Sequence, residues 1–187
     1  MNLEQSLIRL RDSALIKSTV SGNQKSFGKL VSYYKKRIHT LGMSFFKNEA
    51  DTDDFVQEVF IKAYQNLSSF RSESSFPTWL TSIAYNTAIN SKNRRKEYLP
   101  ISDEENLEGK DLTPEKNHIR KATMLAVREA VKNLPEKEAV CVELYFFYDN
   151  THAEISEITG LSVNTIKSHI FRAKKILREN LRGYYEE

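Results

Sequence analysis

The sequence has little of several things that common structural classes require. Its 187 residues include one cysteine, six glycines and four prolines. A single cysteine excludes an internal disulfide and a thiolate zinc site, and so few glycines and prolines are not typical of a β-sandwich with its many tight turns. No apolar run approaches the ~20 residues that cross a bilayer, and the polar start MNLEQS is not typical of a signal peptide. We therefore expect a soluble, mostly helical, cytoplasmic protein without membrane insertion.

The small net charge of +3 hides an uneven distribution along the chain. Residues 1–96 carry 15 basic and 8 acidic side chains (+7), residues 97–117 carry 2 and 7 (−5), and residues 118–187 carry 11 and 10 (+1). The middle stretch, EYLPISDEENLEGKDLTPEKN, shows little apolar periodicity and contains two prolines and a glycine. Such a composition is typical of a solvated linker. The sequence therefore predicts two blocks joined by an acidic linker.

In the first block, apolar residues recur at steps of three and four, which predicts a series of helices. Ser21-Gly22 is a plausible end for the first of them. The third predicted helix begins in the acidic cluster Asp51, Asp53 and Asp54. Carboxylates in a first turn complement the helix dipole, and that structural role accounts for their position.

A polar loop, SSFRSESSFPT, follows the third predicted helix and has a phenylalanine near each end. The next helix presents Trp79, carries Asn86 and Asn90 one turn apart, and ends in basic residues. Aromatic rings can hold unstacked bases, amides can bind base edges, and Lys or Arg can bind phosphates. The combination indicates a single-strand DNA site, while packing beneath a loop and dipole complementation are the structural alternatives.

The second block begins with a helix predicted over residues 118–133. A further helix starts at Glu136 and has Val140, Leu144 and Phe147 as its apolar stripe.

The strongest local signal lies in residues 149–180. Thr151 with Glu154 forms a capping box, Gly160 suits a left-handed helix end, and Ser162 can cap the helix that follows. That helix has one apolar stripe and a basic opposite face. A short helix, a glycine turn and a basic-faced helix together predict a DNA-binding helix-turn-helix, in which Phe171 can contact a thymine methyl.

Signs of catalysis are absent from the sequence. The glycines are scattered rather than grouped in a phosphate-binding loop, and the four histidines have no metal-ligand spacing. We predict no catalytic residue, no cofactor and no metal. Two alternatives stay open at this point. One is a duplex-binding regulator whose first block senses a signal or dimerises. The other is a metal-dependent nuclease that uses Asp51, Asp53, Asp54 and Glu58.

Three segments in order resemble bacterial sigma factors: DTDDFVQEVFIKAY at 51–64, FRSESSFPTWLTSIAYNTAINSKNRRK at 70–96, and residues 134–181. The resemblance is to the compact extracytoplasmic-function (ECF) group, which has only regions two and four. It implies an all-α fold with a region-two helical bundle over 1–96, an acidic flexible linker over 97–117 and a region-four helix-turn-helix over 118–187. It also implies core RNA polymerase, promoter DNA and an anti-sigma factor as partners.

The resemblance further implies a role for particular residues. The acidic helix would dock on the clamp helices of the largest polymerase subunit through Asp51, Asp53, Asp54, Gln57, Glu58 and Phe60. The loop and the helix after it would open the downstream (minus-10) box and bind its melted non-template strand through Phe70, Arg71, Ser72, Phe76, Trp79, Asn86, Asn90, Lys92, Arg94 and Arg95. The helix-turn-helix would bind the upstream (minus-35) box as duplex through Asn164, Thr165, Lys167, Ser168, His169, Phe171, Arg172 and Lys175.

Two further expectations come from the same resemblance. The second block would also meet the flap of the second-largest polymerase subunit. His169 stands where arginine is common in the family, and a histidine is largely neutral at pH 7, which argues against a guanine contact by this side chain.

Overall fold

The computed structural model describes residues 3–98, 126–127, 129–131 and 133–182, with the side chains of 95–98 excepted. Within these ranges the regular structure is helical, which confirms the all-α prediction. The principal helices are α1 (Leu3–Val20), α2 (Gln24–Phe46), α3 (Glu49–Asn66), α4 (Phe76–Tyr98), α5 (Glu136–Val142), α6 (His152–Thr159) and α7 (Val163–Asn180). Helix α4 continues two residues beyond the predicted block boundary. The rest of the predicted linker, and most of the helix predicted over 118–133, lie outside the described residues.

The helices of the first block end where local side chains and backbone angles stop them. Gly22, with φ +99°, follows α1 as predicted. The Asn23 side chain caps α2 by accepting a hydrogen bond from the Lys25 amide at 3.1 Å. Asn48 does the same for α3, accepting from the Asp51 amide at 2.9 Å. These caps satisfy amide groups that a helix start leaves without a partner.

Helices α1–α4 pack around a core that includes the fully buried residues Leu30, Ile38, Leu41, Val59 and Leu80. Helices α2 and α3 approach closely at Gly42. A Cβ atom there would lie 2.7 Å from a ring carbon of Phe55 and 2.9 Å from the Thr52 methyl group. Glycine at this position therefore sets the spacing of the two helices.

The second block contains a π-helical turn, Glu143–Phe147, directly after α5. The amide of Tyr148 donates to the carbonyl of Glu143 at 3.1 Å, five residues back. This wider turn changes which side chains face inward. Leu144 is buried as expected, but Phe147 is exposed and Tyr148 is buried in its stead. The prediction that Phe147 continues the apolar stripe was wrong because it assumed regular α-helical spacing.

The helix-turn-helix, α6–α7, forms as the sequence predicted. Thr151 and Glu154 make the complete capping box. Gly160 ends α6 in the left-handed region at φ +71°. The Ser162 hydroxyl caps α7 by accepting from the Thr165 amide at 3.1 Å. Each end is therefore set by the residue that the local pattern indicated.

The two blocks pack against each other rather than standing apart. Val140, Cys141 and Leu144 of the second block belong to the same buried cluster as Phe45 and Leu80 of the first. Helix α4 contacts α6, and α2 contacts α5. The sequence, in which an acidic segment divides the blocks, did not predict this shared core.

Candidate polymerase and promoter interfaces

Helix α3 presents an acidic surface to solvent. Asp53, Asp54 and Gln57 are exposed on it, while Asp51 and Glu58 are half-buried. The Asp51 carboxylate accepts a hydrogen bond from the side-chain amide nitrogen of Asn48, Nδ2, at 2.7 Å. The Glu58 carboxylate pairs with the Lys62 ammonium at 2.7 Å. The most accessible negative charges of this surface are therefore Asp53 and Asp54.

Phe60, two turns after Asp53 along α3, is only 6% exposed. Its ring packs edge-on against Phe27, with 6.4 Å between ring centroids. The expectation that Phe60 contributes to a docking surface needs correction, because the side chain stabilises α3 from within the core.

The loop aromatics form one packed cluster. Ring centroids are 5.9 Å apart for Phe70 and Phe76, 5.1 Å for Phe70 and Trp79, and 5.7 Å for Phe76 and Trp79. Phe76 is 3% exposed and also contacts the Tyr34 ring at 5.5 Å. Phe76 is therefore a core residue here rather than an open platform for a base, whereas Phe70 and Trp79 are half-buried at its rim.

Two residues of the same loop are open to solvent. Arg71 and Ser72 are exposed, and Ser72 has φ +59°. A serine in the left-handed region is uncommon and carries backbone strain.

Helix α4 carries the remaining candidates for the downstream box. Asn86, Asn90 and Arg94 are exposed along it. Lys92 instead forms an ion pair with Glu136 of the second block, so this cation is engaged within the molecule. The side chain of Arg95 lies outside the described residues.

The blocks are joined by polar contacts that sequence analysis missed. A guanidinium nitrogen of Arg37 donates to the Tyr148 carbonyl at 3.0 Å, and the Tyr148 hydroxyl donates to the Arg37 carbonyl. The guanidinium carbon also lies 4.0 Å from the centre of the Tyr148 ring. Thr78 donates to Glu154 across the same boundary at 3.4 Å. No periodicity marks these residues, since their partners are up to 111 positions away in the chain.

Burial at this boundary shifts several pKa values. Desolvation lowers the pKa of Arg37 and raises that of Tyr148. Cys141, which lines a small cavity with Phe45 and Tyr85 of the first block, has its pKa raised to about 11 by burial and by the nearby Glu138. The thiol is therefore protonated at neutral pH and shielded by both blocks.

Helix α7 holds its polar face in solvent. Asn164, Lys167, Ser168, Arg172 and Lys175 are exposed, and Thr165 is half-buried beside its capping partner. Phe171 stands on the same face and is 72% exposed. The exposed face of α7 therefore combines cationic and polar side chains with one open aromatic ring.

His169 does not share that face. It is 6% exposed, and its Nδ1 atom lies 3.0 Å from a carboxylate oxygen of Glu138 in α5. The expectation that His169 contacts the upstream box needs correction, because the ring is buried between α7 and α5.

Within the described residues, no group of three or more His, Cys, Asp or Glu side chains is arranged as metal ligands would be. Nor does any helix found there combine the length and apolar character of a membrane span.

Comparisons with known proteins agree along both blocks. Residues 30–98 match the family model for sigma-70 region 2, and residues 124–177 match that for sigma-70 region 4. The chain is 35% identical over 183 residues to an ECF RNA polymerase sigma-E factor of Haemophilus influenzae, covering 92% of this chain and 96% of that protein. It is 32% identical over 191 residues to an RNA polymerase sigma-H factor of Pseudomonas aeruginosa, covering 97% and 99%.

A solved structure has the same fold. It contains a sigma factor, RpoE, in complex with the anti-sigma factor NepR from Bartonella quintana, and it superposes with a TM-score of 0.64 at 18% identity, covering 87% of this chain and 99% of that one. Together with the two region matches and the full-length relatives, this places the chain in the ECF group of bacterial RNA polymerase sigma factors.

Proposed function

We propose that this chain meets core RNA polymerase and promoter DNA through three separate surfaces. As a sigma factor it gives the polymerase its promoter specificity during transcription initiation. The acidic surface of α3 binds the clamp helices of the largest subunit. The loop and α4 bind the melted non-template strand of the downstream box, and α7 reads the upstream box as duplex.

The observation that carries the promoter assignment is the exposed polar face of α7. The helix is capped by Ser162 at its start and held beneath by the buried Ile166 and Ile170. A rigid helix of this kind fits the major groove, where Lys and Arg bind phosphates or guanine and an apolar side chain contacts a thymine methyl. Lys167, Arg172 and Phe171 stand on this face.

The polymerase assignment is supported by the position of the carboxylates on α3. Within the described part of the protein, Asp53 and Asp54 form no ion pair that would compete with an outside cation, and both are exposed. Charge pairs that lose water at an interface give orientation and specificity. Gln57, one turn after Asp53, adds a hydrogen-bonding group to the same surface.

The second block offers a further surface for polymerase. The π-helical turn leaves Phe146 50% exposed and Phe147 46% exposed. The Lys174 ammonium lies 5.2 Å from the centre of the Phe146 ring. Adjacent exposed aromatics are typical of protein interfaces. We assign this pair to the contact with the flap of the second-largest subunit.

The packing of the blocks supports a step in which they separate. Lys92, a candidate phosphate ligand, is held by Glu136 of the other block, and Phe76 is covered. Binding energy from polymerase and DNA would have to replace these contacts. The functional units would be residues 1–96 and 118–187, with 97–117 as the acidic linker between them. An anti-sigma factor, such as the one bound by the structural relative, would hold the two units together.

The chain acts by binding alone and has no active site of its own, because binding energy positions polymerase and traps melted DNA. It works in the cytoplasm, where a bacterial RNA polymerase meets its promoters.

The decisive experiment is run-off transcription with purified core RNA polymerase and a library of promoter fragments, with and without this protein. We expect initiation at defined sites only when the protein is present. The start sites would then identify both promoter boxes. If core polymerase neither binds the protein nor initiates, while the protein alone binds duplex DNA, a conventional duplex-binding regulator would replace the proposal.

A further inference from the structure

A buried carboxylate lies directly beneath the recognition helix. Glu138, in α5, is 8% exposed, and one of its oxygens contacts two side chains of α7. That oxygen is 3.0 Å from His169 Nδ1 and 3.0 Å from Arg172 Nε. Arg172 Nη2 is in turn 2.8 Å from His169 Nδ1. The three side chains lie at the corners of a triangle, and the hydrogen bonds from His169 and Arg172 to Glu138 tie α7 to α5.

The carboxylate of this triangle is ionised at neutral pH. Burial alone would raise the pKa of Glu138, but the hydrogen bonds with His169 and Arg172 outweigh burial and lower it below its ordinary value. A charged, buried acceptor requires partners that stay in place, because leaving it unpaired is costly. Glu138 therefore holds the guanidinium of Arg172 in one orientation.

The histidine limits the orientation further. The ionised carboxylate of Glu138 only accepts hydrogen bonds, so the Nδ1 atom of His169 carries the proton and donates it to Glu138. With that proton in place Nδ1 cannot also accept from Arg172, so the Arg172 Nη2 atom lies beside the ring without bonding to it. His169 thus holds the Glu138 carboxylate in place, and through it the Arg172 side chain.

Arg172 itself remains accessible. Its side chain is 55% exposed although its Nε atom is engaged. Five N–H groups belong to a guanidinium, and Glu138 accepts from one of them. The remaining donors are held in a rigid plane on the face of α7 that carries Phe171. A fork fixed in advance loses less freedom on binding and suits the paired acceptors O6 and N7 of guanine.

We infer that Glu138, which lies outside the recognition helix, is a positioning residue that sets the preference of Arg172 for guanine at one position of the upstream box. This inference rests on the proposed function of α7 as a reader of duplex DNA. A phosphate contact by Arg172 would need only its charge and would give no base preference. The orientation imposed by Glu138 is what favours the base.

The test is selection of upstream boxes by holoenzyme, assembled from core polymerase and the full chain, from a duplex pool randomised at that box. The variants are Glu138→Gln, Arg172→Ala, Arg172→Lys and the double variant Glu138→Gln/Arg172→Ala. Glu179→Gln, on the exposed end of α7, is the matched control. Sequencing of bound duplexes gives the preference at every position.

We expect Arg172→Ala to reduce the preference for guanine at one position of the upstream box about tenfold. Glu138→Gln should remove most of the same preference, leave the other positions unchanged, and add nothing in the double variant. Arg172→Lys, which keeps the charge and leaves the core untouched, should behave like Arg172→Ala. It therefore tests the orientation even if Glu138→Gln fails to fold.

Three outcomes would overturn the inference. One is an unaltered guanine preference in Glu138→Gln, and a second is a full preference in Arg172→Lys. The third is a uniform loss of binding to all duplexes in Glu138→Gln with a normal thermal unfolding curve. The absence of any base preference in the wild-type holoenzyme would instead count against the proposed function of α7.

Discussion

The two surfaces proposed to meet DNA differ in how the structure holds them. Helix α7 has its basic face and Phe171 in solvent, whereas the aromatic cluster before α4 is packed, with Phe76 covered and Lys92 paired to the other block. Duplex DNA presents fixed edges that a rigid helix can match. An extruded base exists only once the promoter is opened. With the proposed roles, the duplex-binding surface would be formed in advance and the single-strand surface would be completed during initiation.

The largest effect should come from a substitution that prevents polymerase binding. We expect Asp54→Lys to weaken binding to core polymerase by about a hundredfold or more, because it places a like charge where a desolvated ion pair is proposed. Promoter opening should be lost together with polymerase binding, while the variant protein should still bind upstream-box duplex through α7. Competition binding to core polymerase measures the first effect and duplex titration the second.

Glu4→Lys, an equal charge reversal on the exposed face of α1, is the matched control. Undiminished polymerase affinity in Asp54→Lys would show that α3 is not the docking surface.

Separation of the blocks can be followed through the sole cysteine. Because the pKa of Cys141 is raised from 9.0 to about 11, the free protein should hold roughly a hundredfold less thiolate at pH 8 than an exposed thiol does. Disulfide-exchange reagents should therefore modify it very slowly, and faster once core polymerase or the change Tyr148→Ala parts the blocks. Stopped-flow thiol labelling measures the rates, with urea-unfolded protein as the reference.

The same pKa shift makes stability depend on pH with a definite sign. The folded state keeps the Cys141 proton to higher pH than the unfolded chain does, so ionisation above pH 9.0 favours unfolding. The free energy of unfolding should fall as the pH rises from about 9 towards 11, and Cys141→Ala should lessen that fall.

For the thiol-labelling experiment, equal labelling rates of Cys141 in polymerase-bound and free protein would contradict the separation of the blocks.

A smaller effect should distinguish the two DNA surfaces directly. We expect Asn86→Ala to reduce promoter opening about tenfold by removing a contact to a base of the melted strand. Duplex binding by the second block should be unchanged. Permanganate reactivity of unpaired thymines measures the opening. Gln65→Ala, an exposed amide on α3, is the control, and parallel loss of opening and duplex binding would argue against this assignment of α4.

The smallest effect should come from the exposed aromatic of α7. Phe171→Ala should cost about 1 kcal/mol of upstream-box affinity, roughly fivefold, by removing apolar contact with a thymine methyl. Its exposure means that the free energy of unfolding should change by less than about 0.5 kcal/mol. Fluorescence anisotropy with matched duplexes measures the affinity. Equal affinity for boxes with thymine or uracil at the contacted position, in both proteins, would remove Phe171 from the interface.

Much of this molecule follows from short-range patterns. Gly22, the capping box of Thr151 and Glu154, Gly160 and Ser162 all end or begin helices where predicted, because capping involves groups only a few residues apart. The exposed basic face of α7 follows likewise from its 3.6-residue period. The family resemblance added the order and spacing of three motifs, which the comparisons with known proteins confirmed.

Other features depend on contacts between distant parts of the chain. Local spacing predicted that Phe147 would be buried, but the π-helical turn after α5 buries Tyr148, and Tyr148 then binds Arg37 of the first block. The exposed or buried state of Phe60, Phe76 and His169 was likewise decided by which helix packs beside each. Position along a helix face does not reveal that neighbour.

The sequence by itself determined the helices, their ends, the helix-turn-helix and the sigma-factor family, because each depends on local chemistry or on ordered motifs. Only the tertiary structure decided that the blocks share a core, that Lys92 is paired with Glu136, and that Glu138 of α5 binds Arg172 of α7. These contacts join residues 34 or more positions apart. Their energy comes from burial and charge pairing that arise only when the helices pack.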